Sequence, residues 1–492
     1  LHFGEKKMLK KIEEHPKFEN FLLPFDGKLN GSNRWVKLAG MIPWEELEKI
    51  YGSKMSKTMG RPGLTARIAI GSLLIKHKLN LSDEETVEQI SENPYLQYFL
   101  GYEEFKQELP FDPSMLSHFR KRLNFSEATE VNELLTKLMS SQKKSKEEES
   151  DDDDSDDENG EKKSGKLLID ATVAPADMKY PTDLELLNEA REKSEKLIDT
   201  LHDPKDKKKK PRTYRQKARK EYLSVAKRKN RSAKLVRKAL KKQVGYLKRN
   251  IKHIDKFLEG GKILCPKNIE LLRILKKVLF QQSEMLNSGR KSVEDRIVSI
   301  SQPHVRPIVR GKAGAKTEFG AKISVSVVEG MTYVDRISWD AYNESQDLIS
   351  QVESYKKRFG FYPESVHADR IYATRDNRRF LSEKGIRLSA PPLGRPRENI
   401  SDAEKKQRRQ DEIDRIPVEG KFGNGKRKYS LDRIYAKLKS TSETWIMLII
   451  IVMNLDKCLA KLFGRLFYIF LYFIKALKTI KCQASGDGWI YQ

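Results

Sequence analysis

The chain has 492 residues, and its 96 Lys+Arg against 70 Asp+Glu leave a net charge of +26. That length admits two or three domains, each with its own core, and the surplus points to an anionic partner, nucleic acid ahead of a membrane surface. Three scattered cysteines exclude a disulfide framework, and neither they nor the eight histidines have zinc-finger spacing, so no zinc site is expected and His118 and His367 read as surface or packing residues.

Residues 1 to 20 are charged and hold no apolar run of the signal-peptide kind, so secretion is not expected, and the few cysteines fit a reducing cytoplasm. From 60 to 125 the sequence reads as short helices. "LTARIAIGSLLIKHKL" has apolar residues at helical spacing, and "SDEETVEQ" opens with a cap and an acidic first turn. In "PFDPSMLSHFRKRL" the expected N-cap is Asp112 with Pro113 at the first helical position. Ser114, Ser117, Arg120 and Lys121 then lie on a helix able to enter a major groove or, equally, to pack with a solvated basic face.

Residues 1–139 are therefore assigned to an all-α N-terminal domain and 140–165 to an acidic disordered linker, since "EEESDDDDSDDE" carries ten acids in twelve residues and nothing to bury. Residues 183–290 form a basic helical insertion. Between 205 and 256 there are 23 Lys/Arg against Asp206, Glu221 and Asp255, with an apolar helical stripe from Leu223 to Leu258. Phosphate contact is the functional reading of that charge.

Segments 166–182 and 291–480 are assigned to an α/β domain with a mixed sheet flanked by helices. "LLID" reads as a buried strand with Asp170 at its end. "KISVSVVEGMTYVDRIS" reads as a hairpin turning at Gly330, and Ser365 to Ser389 as strand, helix from about Thr374, stop at Gly385, strand. A helix is expected from about Leu431. The glycines of "GKFGNGK" read as a turn with Lys421 and Lys426 near DNA phosphate; a P-loop is excluded because Arg427 follows Lys426. The apolar runs Trp445–Met453 and Leu466–Ile474, nine residues each, are too short to span a membrane and read as core.

Asp170 and Asp369 both follow short apolar strands, at the sheet edge where α/β folds place their sites. Glu419 lies among basic residues, and three such carboxylates can hold two Mg²⁺ ions. Spacing alone leaves Asp177, Asp376, Glu412 and Asp432 as rivals.

The blocks "LLIDATVAPADMKYPTDLELLNEARE", "HADRIYATRDNRRFLSEKGIRLSAPPLGRP" and "VEGKFGNGKRKYSLDRIYAKLKSTSETW" closely resemble bacterial insertion-sequence transposases of the DDE type. Sister families carry Tyr-x2-Arg-x3-Glu-x6-Lys around the catalytic Glu. Arg415, Glu419 and Lys426 match it, with Glu412 at the tyrosine position, and Arg415 joins Lys421 and Lys426 as an expected DNA contact; the acidic tract is a further departure. The resemblance implies an RNase H-like catalytic domain and a DNA-binding N-terminal domain. It implies Asp170, Asp369 and Glu419 as catalytic residues holding two Mg²⁺ ions (Mn²⁺ as substitute), Asp170 bridging both. The reaction implied is nicking at element ends, then attack of the freed 3′-hydroxyl on target DNA, by a homo-oligomer on double-stranded terminal inverted repeats and target. The alternatives are an inactive DNA-binding derivative and an RNase H-like nuclease.

Overall fold

A computed structural model describes residues 17–23, 27–53, 55, 63–147, 163–203, 210–309, 317–390 and 401–484. The N-terminal region is helical as expected: α1 (Arg34–Met41), α2 (Trp44–Gly52), α3 (Ala66–Leu79), α4 (Asp83–Glu92), α5 (Pro94–Phe99), α6 (Met115–Arg122) and α7 (Phe125–Glu147). Local chemistry sets the starts. The Thr65 hydroxyl accepts from Ile68 N, Ser82 and Glu85 form a reciprocal capping box, and Asn93 caps α5 with Pro94 at its first turn. One start differs: α6 begins at Met115 after Ser114, while Asp112 accepts from Ser114 N in the preceding turn, so the Asp-Pro pair forms that turn and not the first turn of the helix. Helix α7 continues to Glu147, through the first residues given to the acidic tract; 148–162 lie outside the described residues.

Among the described residues the sheet has six strands: β1 (Lys166–Pro175), β2 (Arg306–Val309), β3 (Thr317–Val328), β4 (Met331–Ser338), β5 (Ser365–His367) and β6 (Arg387–Ser389). The order is β2-β3-β1-β5-β6, with β4 also pairing β3; β1 is antiparallel to β3 and parallel to β5, and β5 is parallel to β6. The β3–β4 hairpin turns at Glu329–Gly330, both at positive φ, which Gly330 adopts without strain. Asp170 is not at a strand end. β1 runs five residues further because Ala171, Val173 and their neighbours pair with β3, leaving Asp170 opposite Val325. Its parallel pairing with β5 stops earlier, at Leu168 opposite His367, so Asp170 lies just past the carboxyl end of that pair.

Between β1 and β2 the chain forms α8 (Asp183–Leu201), α9 (Arg215–Ala226), α10 (Ala233–Glu259) and α11 (Pro266–Ser288), whose inner faces (Leu187, Ile198, Leu247, Ile254, Leu275, Val278) make a core of their own. Helices α12 (Leu348–Phe359) and α13 (Arg375–Glu383) cover the sheet face formed by Leu167, Ile169 and Val366. The opposite face meets α14 (Asp402–Lys428) and α15 (Lys439–Ala484).

The structure corrects two expectations here. Residues 402–428, including Pro417 and "GKFGNGK", are one helix, and the helix expected from Leu431 starts only at Lys439. Packing overrides local propensity. Val418 is buried, and a Cβ on Gly425 would stand 3.1 Å from Leu431 Cδ2 and 3.3 Å from Met453 Sδ, so a small residue lets α14 close onto α15. Gly425→Val is accordingly expected to lower stability by about 1–3 kcal/mol, read as an earlier urea midpoint; an unchanged midpoint returns this glycine to a solvated role.

Trp445–Met453 is buried along α15, between the sheet and α3, α6 and α7. Just beyond it Asn454 donates to Asn132 Oδ1 and Thr332 O and accepts from Thr332 N, joining α7, β4 and α15 through a buried network. Among the described residues no helix is long and apolar enough to cross a membrane.

Candidate active site

Strand alternation decides which side chains can meet. Leu168 faces the α14/α15 side and Leu167 and Ile169 the other, so Lys166, Leu168 and Asp170 share one face. The Leu168–His367 register puts His367 on that face, with Asp369 two residues beyond. Helix α14 crosses above. Asp414 accepts from Lys166 Nζ at 2.6 Å and Asp411 from Arg387 Nη1 at 2.8 Å, while Val418 packs into the core that holds Leu168.

Anchored this way, the next turn of α14 reaches Asp369. Arg415 donates through Nη1 to Asp369 Oδ1 at 3.3 Å and through Nη2 to Glu419 Oε1 at 3.2 Å, so one guanidinium bridges two carboxylates fifty residues apart in sequence. Both carboxylates are 62% exposed. Asp369 also accepts from Arg370 N at 2.6 Å, starting a short 3-10 turn through Tyr372.

Asp170 completes the group from the sheet. Burial pushes its carboxyl up to about 6; a hydrogen bond from Ala171 N at 2.7 Å works against this, Glu344 and Asp369 add to it, and Arg415 opposes it. The field of Arg415 thus reaches all three acids singled out by the sequence. Their rivals are engaged elsewhere or solvated: Asp177 holds Arg433 and Lys437 at 2.8 and 2.7 Å, Asp376 pairs with Arg379, and Glu412 and Asp432 are exposed.

Glu344 carries no such sequence signal. It lies in a 3-10 turn after β4, accepts from Lys322 Nζ at 2.9 Å, and raises both Asp170 and the buried Tyr372 hydroxyl. Nothing local marks it; only the pairing of β3 with β1 brings Lys322, and with it Glu344, to Asp170.

The basic candidates divide. Ser114, just before α6, and Lys121 on it are exposed, and Ser117 is half-buried. Arg120 is buried, donating to both carboxylate oxygens of Asp83 at 3.0 and 2.7 Å beneath the Trp445 ring. A guanidinium so placed holds α6 to α4 and α15 and has no reach to a base. Lys421 faces α15, where burial and then Lys457 and Lys461 lower its ammonium to about 8. Lys426 is half-buried, and Arg415 is committed to the two carboxylates.

Two family models match the chain: "Transposase DDE domain" over 366–456, which includes Asp369, Arg415 and Glu419, and "Transposase domain (DUF772)" over 23–122, which covers α1 to α6. A curated relative, "Uncharacterized protein ORF8 in nfe locus" of Rhizobium meliloti, is 34% identical over 161 residues, 33% of this chain and 70% of that protein. This chain belongs to the DDE-type transposases of bacterial insertion sequences. No solved structure matches the transposase. Carboxylate oxygens gathered about a bridging cation suit the divalent metal use that the family implies: the donors are hard, and the guanidinium already occupies ground between two of them.

Proposed function

We propose that this transposase cuts DNA at the ends of its element and joins the freed ends to target DNA, with Asp170, Asp369 and Glu419 as its catalytic residues. The observation that carries the reading is the Arg415 bridge between Asp369 and Glu419 with Asp170 inside the same field. The sheet adds support: β1, β3 and β4 paired antiparallel, the short β2 antiparallel at the other end of β3, and β5 and β6 parallel to β1 agree with an RNase H-like domain. The three carboxylates would hold Mg²⁺, which supplies Lewis acidity and charge neutralisation at a phosphodiester. Arg415 keeps Asp369 and Glu419 from repelling each other until they are used, and Glu344 with Lys322 fixes the wall beside Asp170. The test is full-length protein with Mg²⁺ and duplex carrying the inverted repeats that flank the coding region. Joined products support transposition, cleavage without joining makes it a nuclease, and tight binding with neither makes it an inactive derivative.

The same reading divides DNA contact between two surfaces. Ser114 at the start of α6, with Ser117 and Lys121 on it, would read element ends. Helix α10 exposes Lys234, Lys238, Lys241, Lys248 and Lys252 along one stripe, which suits sequence-independent phosphate contact. Changing these five lysines to Gln should flatten the plot of log affinity against log salt, by about 0.9 for each phosphate no longer neutralised, and spare the preference for element ends. An unchanged slope would remove α10 from the interface. A cytoplasmic, nucleoid-associated protein acting as a homo-oligomer on DNA completes the proposal.

A further inference from the structure

Beside the catalytic group, on the other side of Arg415, lies a second set of donors. His367 on β5 has no solvent exposure. Its Nε2 is 3.0 Å from Ser365 Oγ, whereas Nδ1 is buried without a hydrogen-bond partner. That orphaned nitrogen faces Asp411 and Asp414 of α14: Asp411 Oδ1 is 4.0 Å away, too far to hydrogen-bond, and one ligand atom from each residue lies within 4.8 Å of the other two. A buried ring nitrogen without a partner costs free energy, and a fixed opposite nitrogen with a free one aimed at two carboxylates is the arrangement of a metal-ligating histidine.

We propose that His367 Nδ1, Asp411 and Asp414 form a site for a borderline divalent ion of the Zn²⁺ class, separate from the Mg²⁺ site, that clips α14 to β5. The imidazole selects against Mg²⁺ and Ca²⁺, which prefer all-oxygen shells, and one nitrogen with two carboxylates leaves a fourth position for water. Lys166 and Arg387 already pair with Asp414 and Asp411, and Gln410 and Gln407 donate to the same carboxylates, so both acids are held in place before an ion arrives. The consequence is positional. His367 is two residues before Asp369, and Asp414 is five before Glu419, so an ion here fixes the helix that carries Glu419 and the strand that leads into Asp369.

The test separates this site from catalysis by using full-length Asp170→Asn/Asp369→Asn/Glu419→Gln protein, in which the other carboxylate group has lost its charge. Titration with Co²⁺ should load one equivalent with visible ligand-field absorption, Zn²⁺ should displace it, and Zn²⁺ should raise the thermal midpoint. Adding Asp414→Asn, at a position outside the apolar core, should remove both signals, as should His367→Gln. Ser365→Ala should weaken binding about ten- to a hundredfold. Absence of stoichiometric Co²⁺ in the triple variant, or Co²⁺ uptake that survives Asp414→Asn, overturns the proposal and leaves the group as a helix anchor built from ion pairs; neither result bears on transposition itself.

Discussion

Asp170→Asn, Asp369→Asn and Glu419→Gln should each take Mg²⁺-dependent cleavage and joining below detection, while the protein stays folded and binds element ends at least as well as before. The amides keep shape and remove a formal charge that a site built from few carboxylates cannot replace. Without metal, each loss also removes repulsion against phosphate. Asp376→Asn and Glu412→Gln are the controls and should retain most activity, since the first pairs with Arg379 at the start of α13 and the second is exposed.

Asp170→Asn carries a second signature that the other two lack. The Asp170 carboxyl is pushed from an ordinary 3.8 up to about 6 in the folded protein, chiefly by burial. A raised carboxyl stabilises the fold when protonated; that contribution is fully present below about pH 4 and is lost as pH rises through 6. The loss amounts to about 3 kcal/mol at most for a shift of about two units. Metal-free Asp170→Asn should therefore unfold later than the parent at pH 7.5, with the difference closing near pH 4. Equal midpoints at pH 7.5 would mean that Asp170 is solvated and does not face the other acids.

The legibility of this site in the sequence follows from how local its causes are. The segment from Ser365 to Ser389 is readable almost to the residue because Thr374 caps α13 through its own side chain and Gly385 ends the helix at positive φ. The β3–β4 hairpin is readable for the same kind of reason, at Gly330. The end of β1 is not, because Ala171 and Thr172 look like turn residues until β3 is beside them to accept the pairing. Helix α14 escapes a local reading for a longer-range reason: Pro417, Gly420, Gly423 and Gly425 all argue against a helix, and only contact with α15 and the sheet reverses them. Arg120 shows the opposite error, a basic residue on an apparently solvated face that proves to be the buried partner of Asp83. Glu344 has no local signal at all.

Trp445→Ala should be the most damaging single change outside the Asp170, Asp369 and Glu419 group, lowering stability by about 3–5 kcal/mol. The residue joins regions that the sequence suggests are separate domains. Its ring meets His77 edge-on at 4.8 Å, and the Lys76 ammonium and Arg120 guanidinium each lie 5.3 Å from its centroid. Those cations share Asp83, at 3.0 and 2.7 Å, so the indole roofs a largely buried charge cluster in which burial already lowers the Lys76 ammonium. Removing the ring opens a cavity and admits water to ion pairs that depend on exclusion from it. Trp445→Phe, which keeps much of the apolar contact, should recover a large part of the loss. Because α15 continues from Trp445 to Asn454 and on to Asp456, which holds Lys78 of α3 and Lys428 of α14, loosening its start also loosens the helix that carries Glu419. Joining activity should thus fall at temperatures where far-ultraviolet circular dichroism still reports a folded protein. Full activity up to the unfolding midpoint would show that the helical N-terminal region and the carboxylate group are energetically independent, and a midpoint matching the parent would show that Trp445 is not the joint between them.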